Sequence, residues 1–232
     1  MKKHIPNLLT LLNLSSGILS ILFAVIGNLE YAVYCIMAGI FFDFFDGFVA
    51  RLLGVQGELG KQLDSLADAT TSGLAPGMIW FVLLSNAVGF NFFEVKEFSE
   101  ILPFVAFICP LASVYRLANF NIDTRQSNSF IGLPTPANAL LIGGMVFLQN
   151  QAYPYTDSIY FILGIGVLGC LMLNANIEMF SLKFKDYSWS KNKSIYTFLL
   201  ISLFLLIVFK WSAISPVILL YMLWSLFSKK SI

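Results

Sequence analysis

Eight long apolar runs follow one another along this chain of 232 residues, at 7–27, 31–53, 60–89, 101–120, 133–150, 158–176, 194–209 and 212–228. A helix of about 20 largely apolar residues crosses roughly 30 Å of hydrocarbon. The runs therefore predict an all-α, polytopic bundle of about eight transmembrane helices. The last two are parted only by Lys210 and Trp211, which predicts a tight hairpin. Composition agrees: 58% of the residues are hydrophobic and 12% charged, against about 45–50% and 25% in soluble domains. So little charge cannot cover a soluble globule. An ordinary soluble domain, a disordered chain and a DNA-binding protein are all excluded. The net charge of +1 supplies no field that would gather nucleic acid.

The basic residues set the orientation. Alternate loops hold Lys2 and Lys3; Arg51 and Lys61; Arg116 and Arg125; Lys183, Lys185, Lys191 and Lys193; Lys229 and Lys230, twelve of the fourteen. The opposite loops hold only Lys96 and Lys210. Positive charge marks the cytoplasmic side, so both termini are expected there, as an even number of spans requires. The first run follows Met1-Lys2-Lys3-His4, and no small-residue cleavage site leading into a soluble domain follows it, unlike a signal peptide. We expect one membrane domain over 1–232, without repeats, in the inner membrane. Cys35, Cys109 and Cys170 lie far apart in apolar stretches and read as small apolar filler. His4 is the sole histidine. Histidine-based nucleophilic catalysis and multi-histidine metal sites are thereby set aside.

Asp43, Asp46, Asp64 and Asp68 interrupt the second and third runs. Each acidic residue near a bilayer centre costs on the order of 2.5–3.5 kcal/mol on insertion scales, so four of them demand compensation. Asp46 lies about 10 Å from the inner end of its helix, and Asp64 and Asp68 about 6 and 12 Å into theirs. The pairs thus share a depth on a helical hairpin. Residues three, four, seven and eight apart share a helix face. Asp43, Asp46, Gly47, Ala50 and Arg51 form one such stripe, and Gly60, Asp64 and Asp68 another. Four facing carboxylates call for cations, and hard oxygen ligands favour Mg²⁺, Mn²⁺ or Ca²⁺ over zinc. Gly47, Ala50 and Gly60 leave room beside them, and Arg51 carries a fork suited to phosphate. Together these residues read as a phosphate-transfer site, with a carboxylate free to take the proton of an attacking hydroxyl.

Asp43-Phe-Phe-Asp46-Gly47-Phe-Val-Ala50-Arg51, then Gly60, Asp64 and Asp68 after eight, three and three residues, resembles the full signature of the CDP-alcohol phosphotransferases over 43–68. The resemblance implies an integral membrane enzyme with a six-helix core, here followed by a C-terminal hairpin. It also implies transfer of a substituted phosphate from a CDP-linked donor to an alcohol, with release of CMP. Asp43, Asp46, Asp64 and Asp68 would hold two divalent ions, Mg²⁺ or Mn²⁺, and Asp68 would also be the general base. Asp46, Gly47, Ala50, Arg51 and Gly60 would line the CDP site.

Three further stretches resemble the bacterial and archaeal branch of that family that uses L-serine. They are Ile5-Pro6-Asn7 through Thr10 to Asn13, Tyr115-Arg116 through Asn119-Phe120-Asn121, and Phe130 through Gly132-Leu133-Pro134-Thr135-Pro136-Ala137. CDP-diacylglycerol and L-serine are then the expected substrates. Many members of that branch carry a second Arg where Asn119 stands. Arg116, Asn119, Asn121 and Arg125 are the candidates for binding the acceptor or the lipid phosphate, since Arg grips carboxylate or phosphate bidentately. Asn7 and Asn13 read first as hydrogen-bond glue between helices. A homodimer is the expected assembly. Two alternatives stand beside this reading. One is a sister enzyme acting on glycerol 3-phosphate or an inositol phosphate; the other is a cation transporter using the Asp cluster.

Overall fold

Helices follow the apolar runs. A computed structural model describes residues 4–90, 98–122, 131–151, 153, 155–180 and 188–228. They form α1 (His4–Val25), α2 (Leu29–Leu53), α3 (Glu58–Asp68), a π-helical turn (Ala69–Leu74), α4 (Ala75–Val88) and a 3₁₀ stretch (Phe98–Phe107). Then come α5 (Ile108–Ile122), α6 (Thr135–Asn150), α7 (Ile159–Leu173), α8 (Trp189–Phe209), a second 3₁₀ turn (Lys210–Ala213) and α9 (Ile214–Ser228). Among the described residues there is no strand, only an isolated antiparallel bridge between Ile131 and Glu178. Among the described residues, five segments are long and apolar enough to cross a membrane: His4–Val25, Leu29–Leu53, Glu58–Val88, Ile101–Ile122 and Asn192–Phe227.

The last of these segments folds back on itself as the spacing of Lys210 and Trp211 predicts. Trp224 donates its indole N–H to Ser194 Oγ at 2.9 Å, and the Phe198 and Tyr221 rings lie 5.9 Å apart. A single straight helix would hold these pairs far apart. Lys210, with φ at 52°, stands at the reversal. The hairpin docks on α6 through Ser215, whose hydroxyl donates to the Leu141 carbonyl at 2.5 Å.

Two expected spans come out short. α6 has 16 residues and α7 has 15. Their sequence-expected ends are used differently: Leu133 N–H donates to Met172 O, and Gly132 N–H to Ile177 O, both at 2.8 Å. These two bonds tie the entry of α6 to the exit of α7.

The α2–α3 connection is tight because Gly54 takes a left-handed conformation, φ 62°, and its N–H returns to the last carbonyls of α2. α3 then runs into the π turn without a break. Thr71 in that turn donates its hydroxyl to the Asn13 carbonyl at 2.9 Å. Gly17 on α1 and Gly39 on α2 give it space, since a Cβ at either glycine would clash with Thr71. The widened turn therefore sits where α3 wedges against the α1–α2 pair. Behind it lies the apolar core around Trp80, which is fully buried and donates its indole N–H to Ile162 O at 3.0 Å. Apolar side chains such as Leu22, Phe41, Phe204 and Ile207 are exposed on the outside, the surface that lipid contact requires.

Candidate active site

The two polar stripes of α2 and α3 meet. Carboxylate oxygens of Asp43, Asp46 and Asp64 all lie within 4.8 Å of one another. The Asp43 carboxyl also contacts those of Asp64 and Asp68. α1 forms a third wall. Thr10 Oγ1 donates to Asp46 Oδ2 at 2.6 Å, and Asn13 Nδ2 donates to Asp68 Oδ1 at 3.2 Å. Asp46 is buried. Like charges at this spacing repel strongly in a low dielectric. An oxygen-only donor set this close fits a hard divalent cation, whose ligand distances are about 2.0–2.6 Å.

A cavity of about 840 Å³ opens beside the carboxylates. Asp43, Asp46, Asp64, Gly47, Ala50, Arg51 and Gly60 all line it, so every residue of the expected nucleotide stripe faces one space. Arg51 folds over Gly47, where an added Cβ would lie 3.5 Å from its Nη1. A methyl at 47 would make ordinary contact with the guanidinium. Asn7, Lys61 and Phe120 also line this cavity.

The expected acceptor residues are distributed differently. Arg116 is buried on α5, and its Nε and Nη2 have no hydrogen-bond partner among the described residues. Its guanidinium lies 6.0 Å from the centroid of the Phe120 ring and within electrostatic range of Asp68. Asn121 binds α5 to α3: its Nδ2 donates to Ser65 Oγ at 2.7 Å and its carbonyl accepts from Lys61 Nζ at 2.9 Å. Asn119 is exposed. Arg125 lies outside the described residues. Asn13 is the interhelical link expected of it, with the general-base candidate as its partner. The role of Thr10 went unassigned in the sequence. Its signal is the buried stripe Pro6, Thr10, Asn13, Ser16, Gly17, Ser20 and Ala24 on α1, small or polar at helical spacing.

Fold and site together define a polytopic helical membrane protein whose carboxylate cluster, shared by two adjacent helices, suits a divalent cation. The profile of the family described as CDP-alcohol phosphatidyltransferase matches residues 3–175, and the chain belongs to that family. It is similar to the CDP-diacylglycerol–serine O-phosphatidyltransferase of Helicobacter pylori (strain J99), 33% identical over 226 residues, covering 95% of this chain and 89% of the relative. The protein of the same name from Bacillus subtilis (strain 168) is 33% identical over 151 residues, 63% of this chain and 77% of that one. The archaetidylserine synthase of Methanothermobacter thermautotrophicus is 33% identical over 167 residues, 71% of this chain and 66% of the relative.

Proposed function

We propose that this protein transfers the phosphatidyl group of CDP-diacylglycerol to the hydroxyl of L-serine, forming phosphatidylserine and CMP in phospholipid biosynthesis. The observation that carries the reading is the meeting of Asp43, Asp46 and Asp64 within 4.8 Å, in a cavity that Arg51 also lines. The names of the similar proteins supply donor and acceptor.

Asp43, Asp46, Asp64 and Asp68 would hold two divalent ions, Mg²⁺ or Mn²⁺, which when bound neutralise a pyrophosphate and stabilise a departing phosphate. Arg51 presents its fork to the donor phosphates. Gly47, Ala50 and Gly60 keep the wall beside Asp46 open for the cytidine moiety. Asp68 accepts the proton of the serine hydroxyl. The serine oxygen then bonds to the diacylglycerol-linked phosphorus as the bond from that phosphorus to the CMP oxygen breaks, and CMP leaves. Asn13 donates to one oxygen of Asp68 and orients the carboxylate. Arg116 serves the acceptor side, with Asn119, Asn121 and, from the sequence alone, Arg125. No covalent enzyme intermediate enters this scheme.

The same reading makes 1–232 one membrane domain with 43–68 as its signature and eight crossings. Both termini and the active site face the cytoplasm at the inner membrane. The twelve-to-two split of basic residues supports this orientation. A homodimer belongs to the proposal and is read by crosslinking in membranes. The test of function is purified protein with CDP-diacylglycerol, Mg²⁺ or Mn²⁺, and a panel of alcohols. Phosphatidylserine and CMP in equal amounts with L-serine are expected. Product only with glycerol 3-phosphate or an inositol phosphate would overturn the acceptor, and no CMP with any alcohol would overturn the reaction.

A further inference from the structure

We propose that Lys61 is a phosphate-binding residue of the nucleotide cavity, which shares the pyrophosphate of the cytidine donor with Arg51 and is held in place by the end of α5. The inference rests on the reading that the donor is a CDP-linked lipid. It assigns a residue that lies within 43–68 but at none of the signature positions.

Lys61 stands on α3 three residues before Asp64 and seven before Asp68, spacings that share a helix face. It lines the same cavity of about 840 Å³ as Asp43, Asp46 and Asp64. Among the described residues that line this space, Arg51 and Lys61 are the two cations. Neither is held in an ion pair among the described residues. Glu58 lies one turn before Lys61 and also lines the cavity, yet it leaves the ammonium charge uncommitted.

The side chain is braced by a neutral group. Lys61 Nζ donates to the Asn121 carbonyl at 2.9 Å, and the Asn121 amide donates to Ser65 Oγ at 2.7 Å. Lys61 and Ser65 are one turn apart, so two struts join α3 to the last turn of α5. The Asn121 carbonyl is among the last four of its helix, which lack partners within the helix. It accepts one of the three ammonium N–H groups and leaves two. Phe120, next to Asn121, lines the cavity as well, so the braced end of α5 and Lys61 border one space. A pyrophosphate brings negative charge between walls that already carry Asp43, Asp46, Glu58 and Asp64. A cation positioned by a carbonyl, with no carboxylate as partner, keeps its full charge for that ligand. A lysine ammonium is a compact point charge suited to phosphate.

The test uses the full chain in mixed micelles with CDP-diacylglycerol, L-serine and Mg²⁺ or Mn²⁺, and with CDP and cytidine as competing probes. Lys61→Gln keeps an N–H for the Asn121 carbonyl and removes the charge; Lys61→Arg keeps both. Lys61→Gln should weaken inhibition by CDP about tenfold and leave inhibition by cytidine within about twofold. Lys61→Arg should recover most of the loss. Equal inhibition by CDP in wild type and Lys61→Gln overturns the assignment. So does an equal loss for cytidine, which marks a displaced α3 and a lysine that only pins two helices. If Lys61→Gln does not fold, the wild type decides: acetylation of Lys61 by an N-hydroxysuccinimide ester, read by mass spectrometry, should fall several-fold under saturating CDP with metal and not under cytidine. Acetylation unmoved by CDP overturns the assignment. Wild-type protein that neither binds CDP nor releases CMP from CDP-diacylglycerol defeats the functional reading itself, separately from any result at Lys61.

Discussion

Asn13 on α1 donates its amide to Asp68 on α3 across 3.2 Å, a link between residues 55 apart in the chain. One turn earlier Thr10 reaches Asp46 at 2.6 Å. The first helix thereby orients a carboxylate from each acidic pair. A hydrogen bond to a charged group is worth about 1.5–3 kcal/mol, and each ~1.4 kcal/mol is tenfold in rate. Asn13→Ala should lower kcat about tenfold or more with little change in donor KM. Asn13→Asp, which sets a like charge beside Asp68, should lower it further. Steady-state kinetics against CDP-diacylglycerol check both.

Asp68→Asn separates base from ligand. The change is nearly isosteric and removes the basic oxygen. A positioned general base contributes about 10²–10⁴-fold, so turnover at saturating metal and donor should fall by at least 10² while CDP-diacylglycerol still binds. Turnover within tenfold of wild type under those conditions excludes the assignment.

Chelation should abolish CMP release, and Mg²⁺ or Mn²⁺ should restore it. Asp43→Asn and Asp64→Asn remove a ligand charge from the cluster whose oxygens lie within 4.8 Å. Both should shift the metal titration to higher concentration. Activity persisting in excess EDTA counts against the cluster as a metal site.

Gly39→Ala should destabilise the fold by about 1–3 kcal/mol. The added methyl would meet the Thr71 Cγ2 methyl and stand 2.9 Å from Asn13 Oδ1. Thr71→Ser removes that methyl and keeps a hydroxyl for the Asn13 carbonyl. The double variant should regain much of the loss. Thermal unfolding in detergent measures both, and an unchanged Tm for Gly39→Ala alone refutes the close approach of Gly39 to Thr71.

Single cysteines at Gln56 and Ser188, in a background without Cys35, Cys109 and Cys170, should label only from the cytoplasmic side. Labelling of either from the outside would reverse the orientation.

The acidic cluster is readable in the sequence because its members are neighbours along two helices, where spacing alone settles which face they share. Its supports are not. Thr10 and Asn13 stand 36 and 55 residues from their carboxylates, and hydropathy periodicity pairs residues only within one helix. The π turn at Ala69–Leu74 is equally hidden, since a shift of backbone hydrogen bonds leaves the apolar run unbroken. α7 stops at Leu173, and its Met172 carbonyl accepts from Leu133 N–H before α6, a partnership between distant segments. The bond from the Asn121 amide to Ser65, 56 residues away, is likewise invisible to spacing along one helix. Arg116 itself was visible as a cation inside an apolar pattern. That its Nε and Nη2 are buried without a hydrogen-bond partner among the described residues required coordinates.

Thr10–Asp46, Asn13–Asp68 and Thr71–Asn13 all close within the first 71 residues. Chains are made from the N-terminus, and acidic residues enter lipid at a penalty. In this order of synthesis Thr10 and Asn13 precede every aspartate they bind. Each such carboxylate therefore arrives in the bilayer with its hydrogen-bond donor already inserted ahead of it. The polarity of the chain thus acts as an escort for the most lipid-averse residues the protein carries.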